Sequence, residues 1–575
     1  MKTTINKGIV KLIYLFTLLS VTGIGYSCAG FLEEVPEAKR SSNNFYKDET
    51  SLETGVNGLY YTLKDYYNSR VALVGELGVD ECYSNVAHGF GTLSGYKYTA
   101  DNSEYVEGIY RRLYQLVTRA TTVINRSQKL PETDNVRRMI AEAKALRAWG
   151  YFQLVQIYGP VAIVNEEVTS EVDFSIPRSP IKDVYAQIIK DFTEAGLPDV
   201  LPDVSAKGRD ECVSRYAVKA LMAKVYLTMA SYKETGKIDA LLSQIGRENY
   251  GYGAIDRSVS ELYDDAAKYC DTVMMSGIFN LCEQYSSPFC FDNRGQYKNE
   301  NLWELIWGSQ EPVGGNWLKY YGYQVNYGAG QDLRRLLSNG GGYGQLIYTE
   351  NIWNAYKKGD TRKSWNLGNG CFNYDPLNPD KNTSDSFFDP SDDEGYGRQD
   401  DYRVIKFRFN DVDSLWAAIK YTDKDNLPIT FPMVRYADVL LMYAEALLKA
   451  NGGTATRAAV DAVNEVRARA RGYDVAPEDT PDFPEYTIAD LTFDKIFEER
   501  KLELCFEAHR KFDCMRIGQM IEKYYEPEYP DKFRQAPTLV DQEYKYLFPI
   551  PLSQIDASMN KEGFFQNPGY GNVNK

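Results

Sequence analysis

The sequence predicts a mostly α-helical chain in which helix pairs stack side by side and support a half rich in loops. Three observations predict it. Apolar residues recur at helical spacing through the stretch that follows the N-terminal leader; from Tyr285 to about Thr430 that period fades and Gly, Asn, Asp and aromatic residues crowd in; helices then return at Arg435.

The first element is an export signal. Lys2, Lys7 and Lys11 give a positive start, and Leu12 to Ile24 is an uncharged apolar run too short to span a bilayer. Gly25-Tyr26-Ser27-Cys28 follows and resembles the lipobox of bacterial lipoproteins, with Gly25 where a Leu is usual; an ordinary secretory cleavage nearby is the alternative. The expected divisions are a signal peptide at 1–27, a tether at 28–48 with Ser41-Ser42-Asn43-Asn44, a helical region at 49–280 and a second region at 281–575. Cleavage would remove three lysines and no acid, taking the formal charge from −15 to −18.

Helices are predicted over Glu104 to Ile124, Val136 to Tyr158, Pro180 to Gly196, Arg215 to Ser231 and Ser258 to Ser276. The second holds Ala141-Glu142-Ala143-Lys144-Ala145-Leu146-Arg147-Ala148-Trp149, rich in good helix formers, and Gly159-Pro160 stops it. Adjacent helices loaded with Ala, Leu and Tyr suggest hairpin stacking of the tetratricopeptide kind, although the strict repeat signature is absent.

In the middle, 281–430, Asn301 to Trp307 has the pattern of a strand, which assigns Trp303 and Trp307 to the core. Gly314 to Tyr323 is a loop dense in aromatic residues; Gly340 to Gly344 and the acidic run Asp389 to Asp401 are further loops. In the stretch 435–513 helices return. Tyr436, Leu440, Tyr443, Ala444 and Leu447 share one helical face, Asn451-Gly452-Gly453 ends that helix, Thr456 opens its partner to Arg471, and a third runs from about Leu491 to Cys505. The remainder, rich in Pro and Asn, is expected to wrap the surface.

Composition narrows the function. The net negative charge disfavours nucleic acid, whose phosphates call for a basic surface. None of the nine cysteines forms a C-x-x-C pair, and His88 and His509 lie far apart, so a zinc site of common spacing is not expected and no cofactor is implied. With Cys28 acylated, the remaining cysteines leave room for one or two disulfides. The 46 tyrosines suit packed helix pairs and binding surfaces alike.

Arg435-Tyr436-Ala437-Asp438-Val439-Leu440-Leu441-Met442-Tyr443-Ala444-Glu445-Ala446 resembles the most characteristic segment of the SusD/RagB family. Asn464 to Ala470 is similar to its next helix, and Glu499-Arg500, Glu503-Leu504, Glu507, Arg510 and Phe512-Asp513 to its next motif. Tyr546 to Pro551 and Gln566 to Tyr570 match its ending, Glu142 to Gly159 its N-terminal helix, and Phe31 to Tyr46 its post-lipidation stretch. Ala508-His509 stand where the family usually has Glu-Gly, and Lys511 replaces a common aromatic residue. The resemblance implies a lipoprotein of the outer membrane in a Bacteroidetes-like cell. It implies four tetratricopeptide-like helix pairs beneath variable ligand-binding loops, a SusC-like TonB-dependent β-barrel as partner, and an oligosaccharide or other nutrient such as a peptide as ligand. It also implies no catalysis.

Glu499, Glu503, Glu507 and Arg510 share one helical face. Two acids could serve a glycosidase, but acids interleaved with Arg500 and Arg510 are more simply a structural ion-pair network. A membrane-bound adhesion scaffold is a further alternative. Sugar capture needs flat rings and hydrogen-bonding side chains, and two loops offer both. The first holds Asp80, Tyr83, Asn85 and His88; the second holds Asn316, Trp317, Tyr320, Tyr321 and Tyr323, whose rings are expected to face solvent in part. Asp389, Asp392, Asp393 and Glu394 have calcium chemistry but fit a solvated charge run better.

Overall fold

Side-chain caps set the ends of the long helices. Asp48 and Ser51 cap each other's backbone N–H at the start of α1 (Glu49–Asn68). A five-residue π-turn, Ser103–Glu107, leads into α2 (Gly108–Ser127), and the Thr133 hydroxyl opens α3 (Asp134–Tyr158). Next come α4 (Ile181–Ala195), α5 (Arg215–Thr235), capped by Ser214, and α6 (Val259–Met274), with a Ser258–Glu261 capping box. The C-terminal set is α7 (Tyr436–Ala450), α8 (Arg457–Arg471), α9 (Phe493–Leu504) and α10 (Arg510–Arg516). The computed structural model describes residues 45–69, 74–84, 90–167, 176–291, 295–308, 314–321, 345–368, 403–407, 427–524, 542–558 and 563–571. Among them no helix is long and apolar enough to cross a membrane.

Successive helices pack on one another: α2 on α3, α3 on α4, α5 on α6, α6 on α7 and α7 on α8. This is the stacked-hairpin arrangement expected of a tetratricopeptide-like superhelix. Close approach is written into residues such as Gly150 on α3, where an added Cβ would sit 3.0 Å from Val117 of α2. Gly159, at φ 70, then turns the chain out of α3.

The strands are few and pair in twos, antiparallel: β1 (Cys82–Tyr83) with β3 (Ile347–Tyr348), β2 (Asn301–Ile306) with β6 (Thr430–Arg435), and β4 (Leu367–Gly368) with β5 (Arg403–Val404). Pro432 lies opposite Glu304, tolerated because β6 needs no second neighbour there. Trp303 and Trp307 are each 1% exposed, as the strand pattern required. The Trp303 indole N–H donates to the Glu211 carbonyl, tying β2 to the segment before α5.

The chain end is fastened internally. Arg178 is buried with no carboxylate partner among the described residues. Its guanidinium donates to the carbonyls of Tyr158, Pro160 and Phe565 and to Asn567 Oδ1, and it lies 4.0 Å from the Phe565 ring. Burial pulls its pKa down to about 9.

Candidate functional site

The acids of α9 occupy the interior of an ion-pair network. Among the described residues, Glu300, Asp360, Glu499, Glu503 and Glu507 interlock with Arg362, Lys406, Arg435, Arg467 and Arg469, the two signs balancing. Arg435 reaches Glu300 at 2.8 Å, Glu503 at 3.0 Å and Glu507 at 2.7 Å, so the last residue of β6, which also caps α7, joins three separate stretches of chain. Burial pushes the Glu503 carboxyl up, but Arg469, Arg435 and Arg362 outweigh it and hold the pKa at about 2. A second knot joins Asp438, Glu445 and Asp513 to Lys224, Arg500 and Arg516, linking α5, α7, α9 and α10. The ion-pair reading of these acids is supported, but they do not share one helical face: α9 ends at Leu504, Glu507 lies in the turn that follows with Phe506 and Ala508 at positive φ, and Arg510 opens α10. Glu503 and Glu507, 0% and 2% exposed, are bound to arginines and a lysine, and Glu507 also lines a small internal cavity.

The first expected ligand loop is drawn into this interior. Asp80 is 3% exposed and accepts from Arg510 through both oxygens at 2.8 and 2.7 Å. Burial opposes ionisation, but the Arg510 guanidinium lowers the Asp80 pKa. Tyr83, 1% exposed, pairs across β1–β3 with Ile347. Asn85 and His88 lie outside the described residues.

The aromatic loop departs from its expected exposure. Residues 317–320 form a 3₁₀ turn, and Trp317, Tyr320 and Tyr321 are only 4%, 3% and 2% exposed. The reason is tertiary. Phe407 and Phe431, each about a hundred residues away, set their rings edge-on to Trp317 at 5.1 and 5.3 Å, and Tyr321 closes in at 5.3 Å. Tyr67 of α1 extends the cluster through Phe431 at 4.7 Å. Tyr323 lies outside the described residues.

Distant stretches meet at this turn. Asn68, at the end of α1, donates to the Gly314 carbonyl and accepts from the Asn316 N–H. Phe90 packs against Tyr320 at 5.1 Å, and the Gln345 N–H donates to the Tyr320 carbonyl. Gly315 bridges Leu427. Asn316 is half-buried, and its Oδ1 is buried with no hydrogen-bond partner among the described residues. A Cβ on Gly315 would collide with Ile429, so only glycine admits this approach.

A cavity of about 60 Å³ lies beneath, between Tyr66, Tyr67, Trp149, Phe152 and Phe431 on one side and Gln156, Lys224, Asp513 and His509 on the other. It is lined in part by polar side chains and has room for water. Lys224 Nζ stands 3.4 Å from His509 Nδ1. Burial and Lys224 lower the His509 pKa to about 4.

Seven cysteines (82, 212, 270, 282, 290, 505 and 514) are buried free thiols, so disulfides do not form among the described residues. No cluster of metal-ligating side chains occurs among them either. Cys28, Cys371, Gly340 to Gly344 and the acidic run Asp389 to Asp401 lie outside them. Sequence reading missed Asp360, Arg362 and Lys406 as partners of the α9 acids, and Phe407 and Phe431 as partners of Trp317. No local pattern marks residues that matter only through contacts distant in sequence.

Comparison with known proteins is consistent along the whole chain. Residues 299–570 match the model of the SusD family, and residues 30–227 match one described as starch-binding, associating with the outer membrane. The SusD-like protein P25 of Formosa agariphila is 24% identical, over 95% of this chain and 96% of its own length. The crystal structure of a SusD homolog from Bacteroides thetaiotaomicron superposes with a TM-score of 0.71 at 22% identity, covering 92% of this chain and 98% of that one. A laminarin-binding SusD-like protein superposes with a TM-score of 0.66 at 20% identity, covering 91% and 100%.

Proposed function

This chain belongs to the SusD family, and on that footing we propose that it is a surface lipoprotein that captures an oligosaccharide and hands it to a SusC-like, TonB-dependent β-barrel of the outer membrane. The observation that carries the reading is the meeting of separate stretches of chain at Trp317 to Tyr321. An aromatic floor of this kind holds the start of the turn in place, and Asn316, half-buried, stands at that start. Among the expected ligand contacts, Asp80, Tyr83, Trp317, Tyr320 and Tyr321 then act from below as supports, and Asn316 touches ligand. A glycan is favoured because a laminarin-binding protein shares this fold over nearly its whole length. Binding without turnover is favoured because Glu503 and Glu507 are tied into ion pairs. The leader ending at Cys28 supports the lipid anchor.

The test begins with a binding screen of oligosaccharides and peptides against the purified chain. An oligosaccharide should bind, remain intact on long incubation, and lose affinity roughly two- to tenfold in Asn316→Ala, the effect of about 0.5–1.5 kcal/mol for one hydrogen bond. A response to peptides alone, or new reducing ends, would overturn the ligand or the non-catalytic role. Fatty-acid labelling should be lost in Cys28→Ala, and gentle detergent extraction should recover a large β-barrel with the protein.

A further inference from the structure

The turn from Cys505 to His509 carries two non-glycine residues in the left-handed region, Phe506 at φ 63 and Ala508 at φ 58. Such backbone is costly for residues with a Cβ and persists where surrounding contacts impose it. Here two acids from one segment impose it. The Phe506 N–H donates to Glu81 Oε1 and the Ala508 N–H to Glu76 Oε2. The backbones are also in contact, since a Cβ on Gly75 would run into the Ala508 carbonyl.

Both acids are 0% exposed, and each has a second oxygen (Glu76 Oε1, Glu81 Oε2) with no hydrogen-bond partner among the described residues. The neighbouring cations are committed elsewhere. Arg510 is held by Asp80 at 2.8 and 2.7 Å, and Lys406 by Glu507 at 2.6 Å. Two buried carboxylates cannot both remain ionised without a cation between them. A proton on either acid removes one of the two buried charges.

We propose that the Glu76 and Glu81 pair holds a proton in the folded protein and forms a pH-sensitive latch between the segment at 75–84 and the turn at 505–509. The groups that face the pair are Asp80 and Cys82 from its own segment, Cys505, Glu507 and Arg510 from the turn and α10, Lys406 beyond β5, and Tyr321 from the aromatic turn. Burial, followed by the charge of Glu81, raises the Glu76 pKa, and burial raises that of Glu81 to about 8. The folded state thus keeps a proton that the opened state loses above the ordinary glutamate value, so closure weakens as pH rises toward 8.

Hydrogen exchange on the full chain tests this through the amides of Phe506 and Ala508. After correction for intrinsic exchange, their protection should fall about tenfold per pH unit between pH 5 and 8, the slope for one proton. In Glu81→Gln the slope should vanish, because the pair then has a single carboxylate and needs no proton to avoid two buried charges side by side. A wild-type slope retained in Glu81→Gln, or none in the wild type, overturns the latch. Should that variant fail to fold, infrared difference spectra between pH 6 and 9 decide. They are recorded on Glu304→Gln, since burial raises that carboxyl too, to about 7. Loss of a protonated-carboxyl band supports the latch, and its absence at pH 6 refutes it.

Discussion

Arg510 and Asp80, 430 residues apart in the chain, meet side on, with Arg510 Nε and a terminal nitrogen donating to the two carboxylate oxygens at 2.8 and 2.7 Å. The pair fastens the segment before β1 to the start of α10. Asp80→Asn leaves the Arg510 charge buried with a neutral partner. Stability should fall by about 3–5 kcal/mol, the usual cost of breaking a buried pair from one side. Chemical denaturation measures it, and a change below about 1 kcal/mol would mean that Asp80 is free for another role.

Trp317→Ala should behave as a core substitution. The side chain is 4% exposed and packs on Tyr321, Phe407 and Phe431. A loss of about 3–5 kcal/mol is expected, similar to that of Trp303→Ala. An unchanged melting temperature with weakened ligand binding would instead make Trp317 a solvent-facing platform.

Lys511 is 1% exposed, and its Nζ has no hydrogen-bond partner among the described residues, resting 4.0 Å from the Tyr96 ring centre. Burial lowers its pKa to about 7. Between about 7 and the ordinary lysine value the unfolded chain holds the extra proton, so this group makes stability rise with pH there, and its penalty is complete below. Lys511→Met should stabilise the protein most at or below pH 7, by on the order of a few kcal/mol at 1.36 kcal/mol per pH unit of displacement. Melting curves from pH 6 to 10 check the direction; a destabilised variant at pH 6 refutes it.

Glu503 predicts the acid limb. Its folded pKa of about 2 lies below the ordinary glutamate value of 4.5. The stabilisation is therefore complete above about 4.5 and is lost as pH falls through about 2. Glu503→Gln should be destabilised at neutral pH by about 3–5 kcal/mol and should lose less than the wild type on acidification. Parallel loss curves in denaturant at pH 3 and pH 7 would contradict the assignment.

Much of the architecture was legible because helices declare themselves locally. Ser214, Thr456 and the Ser258–Glu261 box, together with Gly159-Pro160, set ends that differ from the periodic reading by a few residues. The acids of α9 could be read as scaffold because arginines interleave with them at helical spacing. The fate of the two candidate loops could not be read in the same way. Asp80 is a binding residue or a tether according to whether Arg510 reaches it, and Trp317 is a platform or a core residue according to where Phe407 and Phe431 fall.

The sequence by itself therefore determined the helices from α2 to α9, the strand that buries Trp303, and the family segments around Arg435 and Glu503, because these rest on patterns within a few turns of chain. Only the tertiary structure decided which charges neutralise each other, which rings are covered and which turn is held left-handed by Glu76 and Glu81. Burial and ion pairing depend on groups brought together from far along the chain, and the geometry that joins them exists only after folding.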